Sequence, residues 1–378
     1  MNNRHRQHQT GRQAQTPLRE PSRNTPPSGR YLLEADVLDG LKPFAYQELI
    51  ERFRNHIDIV SREQKETLGF LYEGDLKRLL SLRSIASLSG VLSFPVPRPK
   101  ALLGHQHFEQ IVDAMGQIAA LHPPGAFQSL RLSAAGEESA VLTRLKQELE
   151  LRTGMRIEVE EADMLLRLRR SHYEEGWDVL IRLSPRPLAT RTWRVCNLPG
   201  APNATLAHAV MRITNPHPND RILNIGCGSG TLLIERLALG PAQSALGCDT
   251  DTSALACAQL NLAAARFSSA VSLQQWDARA LPLPDASVDV ICSDLPFGQL
   301  VGSHRENETL YPRLFAEATR VAAPYARMVL LTHELRLLER TAWEHRESWE
   351  HVETVRVRSG GMTPGIFLFR RRERSRTP

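Results

Sequence analysis

The second half of the chain reads as a doubly wound α/β sheet, and the first half as two smaller α+β units ahead of it. Three observations carry that expectation. From residue 221, strand-length apolar runs alternate with amphipathic helical stretches, the pattern of a mostly parallel sheet covered on both faces. The run Arg221-Ile222-Leu223-Asn224-Ile225 leads straight into Gly226, Gly228 and Gly230, spaced two apart, and then into an apolar helix over 232–239. Before residue 195 the strand and helix patterns are shorter and fall into two groups separated by a proline-rich stretch.

Taken in order, residues 1–29 are Arg, Gln, Asn, Pro and Ser with almost nothing apolar, so they cannot offset their ordering entropy and read as a disordered basic tail. Its arginines either are simply solvated or brush nucleic acid. The first unit, 30–95, has a strand at 31–35, a helix opened by Pro43, a strand at 69–72, a short helix over 75–82 and a strand at 91–94, in ferredoxin-like order. A connector, 96–126, carries one amphipathic helix with Phe108, Ile111, Val112 and Met115 on one side. The second unit, 127–195, has a strand at 129–133, a helix over 137–152 with Val141, Leu142, Leu145 and Leu149 inward, and strands at 156–159, 164–168 and 177–183. Arg167, Arg169, Arg170, Arg182, Arg186, Arg191 and Arg194 crowd it, as a solvated face or a surface that tracks phosphates.

The main domain, 196–372, begins with a helix for which Asn203 is a good N-cap. Strands follow at 221–225, 245–249, 271–276, 288–293 and 327–332, with helices over 253–266, 311–322 and 335–345. The last two strands, 352–357 and 366–370, have no helix between them and should pair antiparallel. Residues 373–378 form a second basic tail.

Composition narrows the function classes. The 378 residues are 42% hydrophobic and 24% charged, ordinary for a globular protein with several cores. The formal charge of +5 and a pI near 9.1 permit an acidic polymer as partner without requiring one. Five scattered cysteines without a Cys-x-x-Cys pair fit reduced thiols and argue against zinc or a disulfide frame, and no metal is expected. No stretch reaches the roughly 20 apolar residues of a membrane span. The expectation is a cytoplasmic protein.

The chemistry gathers at the carboxyl ends of the predicted strands, where open α/β sheets bind ligands. Gly226, Gly228 and Gly230 allow a sharp turn and close approach of a nucleotide-type cofactor to a helix N-terminus. Asp249 ends the second strand, placed for ribose hydroxyls. Asp277 follows the third, placed to accept from an adenine amine, and Asp294-Leu295-Pro296-Phe297-Gly298 ends the fourth. Each aspartate alone also reads as a turn residue that satisfies local backbone.

With these residues in view, the main domain resembles class I S-adenosylmethionine-dependent methyltransferases, which are Rossmann-like. Asp294 to Gly298 resembles the Asp/Asn-Pro-Pro-Tyr/Phe signature of enzymes that methylate exocyclic amino nitrogens. The domain order, the Pro199-Gly200-Ala201-Pro202-Asn203-Ala204-Thr205-Leu206 stretch and the Asp-Leu-Pro-Phe-Gly motif are together similar to those of the THUMP-containing tRNA guanosine-N2 methyltransferases. That resemblance implies S-adenosylmethionine as cofactor, held by Asn203, Thr205, Asn224, Gly226, Gly228, Gly230, Asp249, Asp277 and Asp294. It implies as substrate a guanosine in the tRNA acceptor stem, at nucleotide 6 or its neighbour. It also implies that the 127–195 unit is a THUMP domain docking on the CCA end, and that the enzyme works as a monomer.

Two departures stand out: Asn224 where the family has an acidic residue, and Leu295 in place of the first proline. The catalytic expectation rests on Asp294, Pro296 and Phe297. The Asp294 carboxylate and a main-chain carbonyl near Pro296 would hold the two amine hydrogens. Phe297 would stack on the extruded base, or else pack in the core. The alternatives are a guanosine-N2 methyltransferase of ribosomal RNA, and an RNA-binding assembly factor with a degenerate methyltransferase fold.

Overall fold

The computed structural model of the protein describes residues 29–61, 64–296 and 303–373. The expectations for the two tails fall on residues 1–28 and 374–378, and those for Phe297 and Gly298 on 297–302, so these lie outside the described residues.

The first half forms β1 (Arg30–Asp36), α1 (Lys42–Phe53), β2 (Ile57–Ser61), β3 (Thr67–Glu73) and β4 (Ser87–Phe94). There follow α2 (His105–Ala119), β5 (Ser129–Ala134), α3 (Ala140–Thr153), β6 (Arg156–Ile157), β7 (Met164–Arg170) and β8 (Trp177–Arg182). All eight strands belong to one continuous sheet, in the order β2-β3-β1-β4-β8-β7-β5-β6. The two units meet through the antiparallel β4–β8 pair, with Ser89 opposite Arg182 and Phe94 opposite Trp177. Their cores merge too: Phe70 and Leu88, Ile111 and Met115 of α2, and Leu145 and Leu149 of α3 are buried in one cluster.

The short helix expected over 75–82 is a 3-10 segment, Leu76–Ser81, capped by Asp75 and burying Leu76 and Leu79 three apart. Strand β2, which the hydrophobic pattern does not single out, is a sheet edge whose described side chains are at most half-buried. Its core face is only Ile57 and Ile59, too short a pattern to stand out in the sequence.

Most of the second unit's arginines are already engaged. Arg169 pairs with Glu34 at 2.6 Å and Asp178 at 3.5 Å, and Arg167 with Asp36 at 2.9 Å, tying β7 to β1. Arg182 is buried and donates to the carbonyls of Ala162, Ser184 and Pro185. Arg170 lies over the Trp177 ring at 4.6 Å, and Arg186 reaches only 3.5 Å from the exposed Glu161. The arginine cluster therefore mainly cements the first half internally, rather than forming an open phosphate-tracking surface.

The second half contains α4 (Ala204–Arg212), β9 (Arg221–Ile225), α5 (Thr231–Leu237), β10 (Ser244–Asp249), α6 (Thr252–Ala264), β11 (Val271–Gln275) and β12 (Val288–Asp294). It closes with α7 (His304–Val321), β13 (Ala322–Thr332), α8 (Leu335–Glu344), β14 (Trp349–Arg356) and β15 (Gly365–Arg371). The sheet order is β11-β10-β9-β12-β13-β15-β14. The pairs from β11 to β13 are parallel, and β15 is antiparallel to both neighbours, as the missing crossover helix predicts. Leu206, Val210, Leu232 and Leu233 pack on one face against Ile222 and Val290. Leu314, Phe315 and Leu338 pack on the other against Leu223 and Ile291. The sheet is doubly wound.

Two halves become one body at a buried ionic hub. Glu235 on α5 is fully buried and accepts from Arg83 Nη1 at 2.9 Å, Arg191 Nε at 2.9 Å and His208 Nδ1 at 3.0 Å. Arg83 belongs to the first half, and its own backbone amide is held by Glu48. Burial alone would raise the Glu235 carboxyl, but the His208 hydrogen bond and the two guanidiniums outweigh it and hold it down to about 2.

One cysteine expectation is corrected: Cys196 and Cys257 are joined in a disulfide, while Cys227, Cys248 and Cys292 are free and buried. Sequence separation hides this pair, because only the fold brings the segment before α4 against α6.

Candidate active site at the carboxyl edge of the second sheet

Strand β9 lies between β10 and β12, with Cys248 beside Ile225 and Cys292 beside Asn224. The glycine loop and Asp249 therefore leave adjacent strands at one edge of the sheet, and Asp294 leaves the next strand at the same edge. Gly226, Gly228 and Gly230 take φ of +58°, +51° and +77°, the left-handed region that favours glycine. A Cβ on Gly226 or Gly228 would meet nothing within 4 Å, so both turn an open backbone face outward. Gly230 is packed, with the corresponding position 3.3 Å from Ala258 Cβ, and it N-caps α5.

Asp249 braces this loop. Its Oδ2 accepts from the Gly228 amide at 2.9 Å and its Oδ1 from the Asp251 amide at 3.1 Å. Asp277 lies just past β11 and forms a two-oxygen pair with Arg279, at 2.5 Å for the closest contact. The Arg279 hydrogen bonds hold its carboxyl below the usual range, and burial opposes them. A carboxylate has about four acceptor sites, so this pairing leaves room for another donor.

Asn203 acts as the cap its sequence suggests: its Oδ1 accepts from the amides of Thr205 at 2.8 Å and Leu206 at 3.4 Å. The side-chain oxygen is thus spent on the helix. Asn224 is 1% exposed and donates through Nδ2 to the Cys292 carbonyl at 3.1 Å. An aspartate could not make that bond, which accounts for the amide at this position.

Among the described residues, four buried side-chain atoms on α4, β9, β12 and α7 have no partner: Thr205 Oγ1, Asn224 Oδ1, Asp294 Oδ1 and Asn307 Oδ1. Each orphaned buried polar group costs about 1–3 kcal/mol, so a cluster of them marks a place where a bound molecule supplies the donors. Together with the open faces of Gly226 and Gly228, they fit a nucleotide-type cofactor and a polar substrate. Desolvation pushes the Asp294 carboxyl up to about 8.

Pro296 departs from expectation. Its carbonyl already accepts from Asn307 Nδ2 at 2.8 Å and Tyr311 Oη at 2.9 Å, which fills both lone pairs. Tyr311 is in turn bonded to Thr332 Oγ1 at 2.8 Å, at the end of β13. The Pro296 carbonyl is therefore an anchor of the turn and not a free acceptor for a base.

Sequence reasoning missed three residues. Asn307 and Tyr311 sit on the buried stripe of α7, and Asn261 on that of α6. Asn261 uses its whole amide: it accepts from the Val195 and Cys196 amides and donates to the carbonyls of Cys196 and Ser229. It thereby ties the glycine loop to the segment entering the domain. The available signal was a polar residue at helical spacing among apolar ones, which a buried position tolerates only with partners. Beside the turn, a cavity of about 500 Å³ is lined by His304, His333, Glu334, Arg336 and Arg340, with His304 Nδ1 at 2.9 Å from Glu334.

This fold and this edge define a Rossmann-like, doubly wound domain with a ligand edge. Residues 191–364 match the family described as RMKL-like, methyltransferase domain. The chain is similar to the human tRNA (guanine(6)-N(2))-methyltransferase THUMP3, 32% identical over 177 residues that cover 44% of this chain and 35% of that protein. It is also similar to the tRNA (guanine(6)-N2)-methyltransferase of Thermus thermophilus, 31% identical over 189 residues, covering 50% of this chain and 55% of that one. These matches thus span between a third and just over half of the relatives' length. The crystal structure of TrmN from Thermus thermophilus superposes with a TM-score of 0.68 over 90% of this chain and 99% of that one, at 23% identity, which shows a shared fold. Among the described residues, no helix is long and apolar enough to cross a membrane, and no group of three or more His, Cys, Asp or Glu is placed to hold a metal ion.

Proposed function

We propose that this protein transfers a methyl group from S-adenosylmethionine to the exocyclic N2 of a guanosine in tRNA, in the acceptor stem at nucleotide 6 or its neighbour. The observation that carries the reading is Asp294. It ends β12 two strands from Asp249, beside the open glycine loop, with a buried Oδ1 that lacks a donor. The similarity to the two tRNA guanine-N2 methyltransferases supports the substrate.

When bound, the cofactor supplies an electrophilic methyl on a sulfonium. Gly226 and Gly228 let the backbone approach it, Asp249 and Asp277 offer carboxylates to hydroxyls and amines, and Asn224 Oδ1 and Thr205 Oγ1 offer buried acceptors. Asn203 acts indirectly, by setting the start of α4.

The guanine amine is a poor nucleophile because its lone pair is delocalised into the ring. Asp294 accepts one of its hydrogens and turns the lone pair toward the methyl carbon. The amine nitrogen, held by Asp294, would then take the methyl that the bound cofactor supplies, leaving the thioether behind. The spare amine proton passes to the Asp294 carboxylate and then to water. Positioning of this kind contributes about 7–11 kcal/mol. Pro296 holds the turn through its bonded carbonyl, and Phe297 stacks on the base.

We further propose the division 30–95, 96–126, 127–195 and 196–372, with the third segment a THUMP domain docking on the CCA end, and a monomer working in the cytoplasm. The test is incubation of the full chain with unmodified tRNA and labelled cofactor, followed by nucleoside analysis. N2-methylguanosine mapped to the acceptor stem is the expected product. Label in ribosomal RNA alone, or none with cofactor bound, would replace this reading by one of its alternatives.

A further inference from the structure

Asn307 is fully buried on α7, on the stripe it shares with Tyr311 and Leu314. An asparagine amide can turn either end toward a ligand unless something decides for it. Here the decision is made by the turn after β12: Nδ2 donates to the Pro296 carbonyl at 2.8 Å, so Oδ1 is left as an acceptor, and it has no partner. Two residues before Pro296, Asp294 Oδ1 is a second buried acceptor without a donor. Tyr311 holds the same Pro296 carbonyl from the other side, at 2.9 Å, so the turn is secured by two donors. Buried acceptors without donors are rare in native structures. Two of them attached to one turn, neither with a donor among the described residues, point to a ligand that brings two hydrogens.

We propose that Asn307 is a specificity-determining residue, and that with Asp294 it forms an acceptor-only pair that selects guanine. The inference rests on the proposed guanine-N2 reading and deepens it. On its Watson–Crick edge guanine presents two neighbouring donors, the ring N1–H and the exocyclic N2 amine. Adenine and cytosine present an amine next to a bare ring nitrogen, which would set lone pair against lone pair at Asn307. Asp294 takes the amine that reacts, and Asn307 takes the N1 hydrogen that identifies the base. A site built to receive a hydrogen rejects an analogue lacking it more strongly than an apolar pocket rejects a change of shape.

The test uses the full chain and tRNA whose target guanosine is replaced by 2,6-diaminopurine riboside. That base keeps the 2-amine but carries a lone pair at N1. The wild-type protein should prefer guanosine over diaminopurine in kcat/KM by about 10- to 100-fold. Asn307→Ala should bring this ratio close to unity, with the loss falling on guanosine. Asn307→Asp keeps an acceptor but loses the Nδ2 bond that aims it, so it should retain only part of the preference while Tyr311 still holds the Pro296 carbonyl. Because the ratio is taken within each variant, a partly unfolded preparation does not alter it. A ratio unchanged in Asn307→Ala, or no preference in the wild type, would overturn the role of Asn307 while leaving guanine-N2 methylation standing. A wild-type protein that makes no N2-methylguanosine would overturn both.

Discussion

Arg83, from the loop before β4, reaches across the molecule to Glu235 on the helix behind the glycine loop, at 2.9 Å. Arg191 donates to the same oxygen at 2.9 Å and also to the Arg83 carbonyl at 2.8 Å. The ionic group that joins the halves is thus one turn of helix away from the glycine loop.

Glu235→Gln should destabilise the protein by about 3–5 kcal/mol in urea unfolding, because it leaves two guanidiniums facing a buried site without their anion. The pH dependence provides a second check. The Glu235 carboxyl is depressed from 4.5 to about 2 in the folded state, so its contribution is present above pH 4.5 and is lost as pH falls toward 2. The variant should lose that segment of the acid-unfolding profile. For the same reason, cutting away the first sheet would strand Glu235, so RNA docking is better tested by surface substitutions in the full chain.

Asp249→Ala should weaken cofactor binding by roughly 10- to 100-fold in calorimetry, since it removes a charged acceptor and frees the Gly228 amide it holds at 2.9 Å. An unchanged affinity would mean the ribose end lies elsewhere.

Gly228→Ala and Gly230→Ala should separate binding from folding. At Gly228 the added methyl enters open space at φ +51°, so stability should fall only by the strain of about 1–2 kcal/mol. Cofactor affinity should drop roughly tenfold or more, because that space is where the ligand would pack. At Gly230 the methyl comes within 3.3 Å of Ala258 Cβ, so the thermal midpoint should fall further.

Asp294→Ala should abolish methyl transfer and leave cofactor affinity largely intact. With its carboxyl raised by burial to about 8 in the free protein, wild-type kcat/KM should climb as pH passes through that value, as the ionised acceptor forms. Folding stability should run the other way, falling as pH rises from about 3.8 to about 8 and levelling off above it, because only the folded state keeps the proton in that range. Asp294→Asn should remove the stability trend and most of the activity.

The alternation of strands and helices in the second sheet was legible because β9 and β12 are buried apolar runs and the crossover helices carry their own buried stripes. The antiparallel end was legible from a missing helix between 357 and 366. In the first half, the edge strand β2 and the union of both units through the β4–β8 pair were not. The short edge strand β2 offers only Ile57 and Ile59 to the core, and pairing between distant strands leaves no local mark. The arginines of the second unit show the limit most plainly, since only three dimensions reveal that Arg167, Arg169 and Arg191 face carboxylates on other elements.

On its own, the amino-acid order determined where the sheet turns toward a ligand: glycines need no partner to adopt positive φ, and an aspartate at a strand end needs only the strand. The tertiary structure decided which polar groups remain available there. It occupied the Pro296 carbonyl, spent Asn203 on a helix cap, and left Asn224, Asp294 and Asn307 with oxygens unpaired among the described residues. Hydrogen bonds are settled between residues far apart in sequence, and each is exclusive. The chemistry of the site is therefore what remains after the fold has satisfied itself.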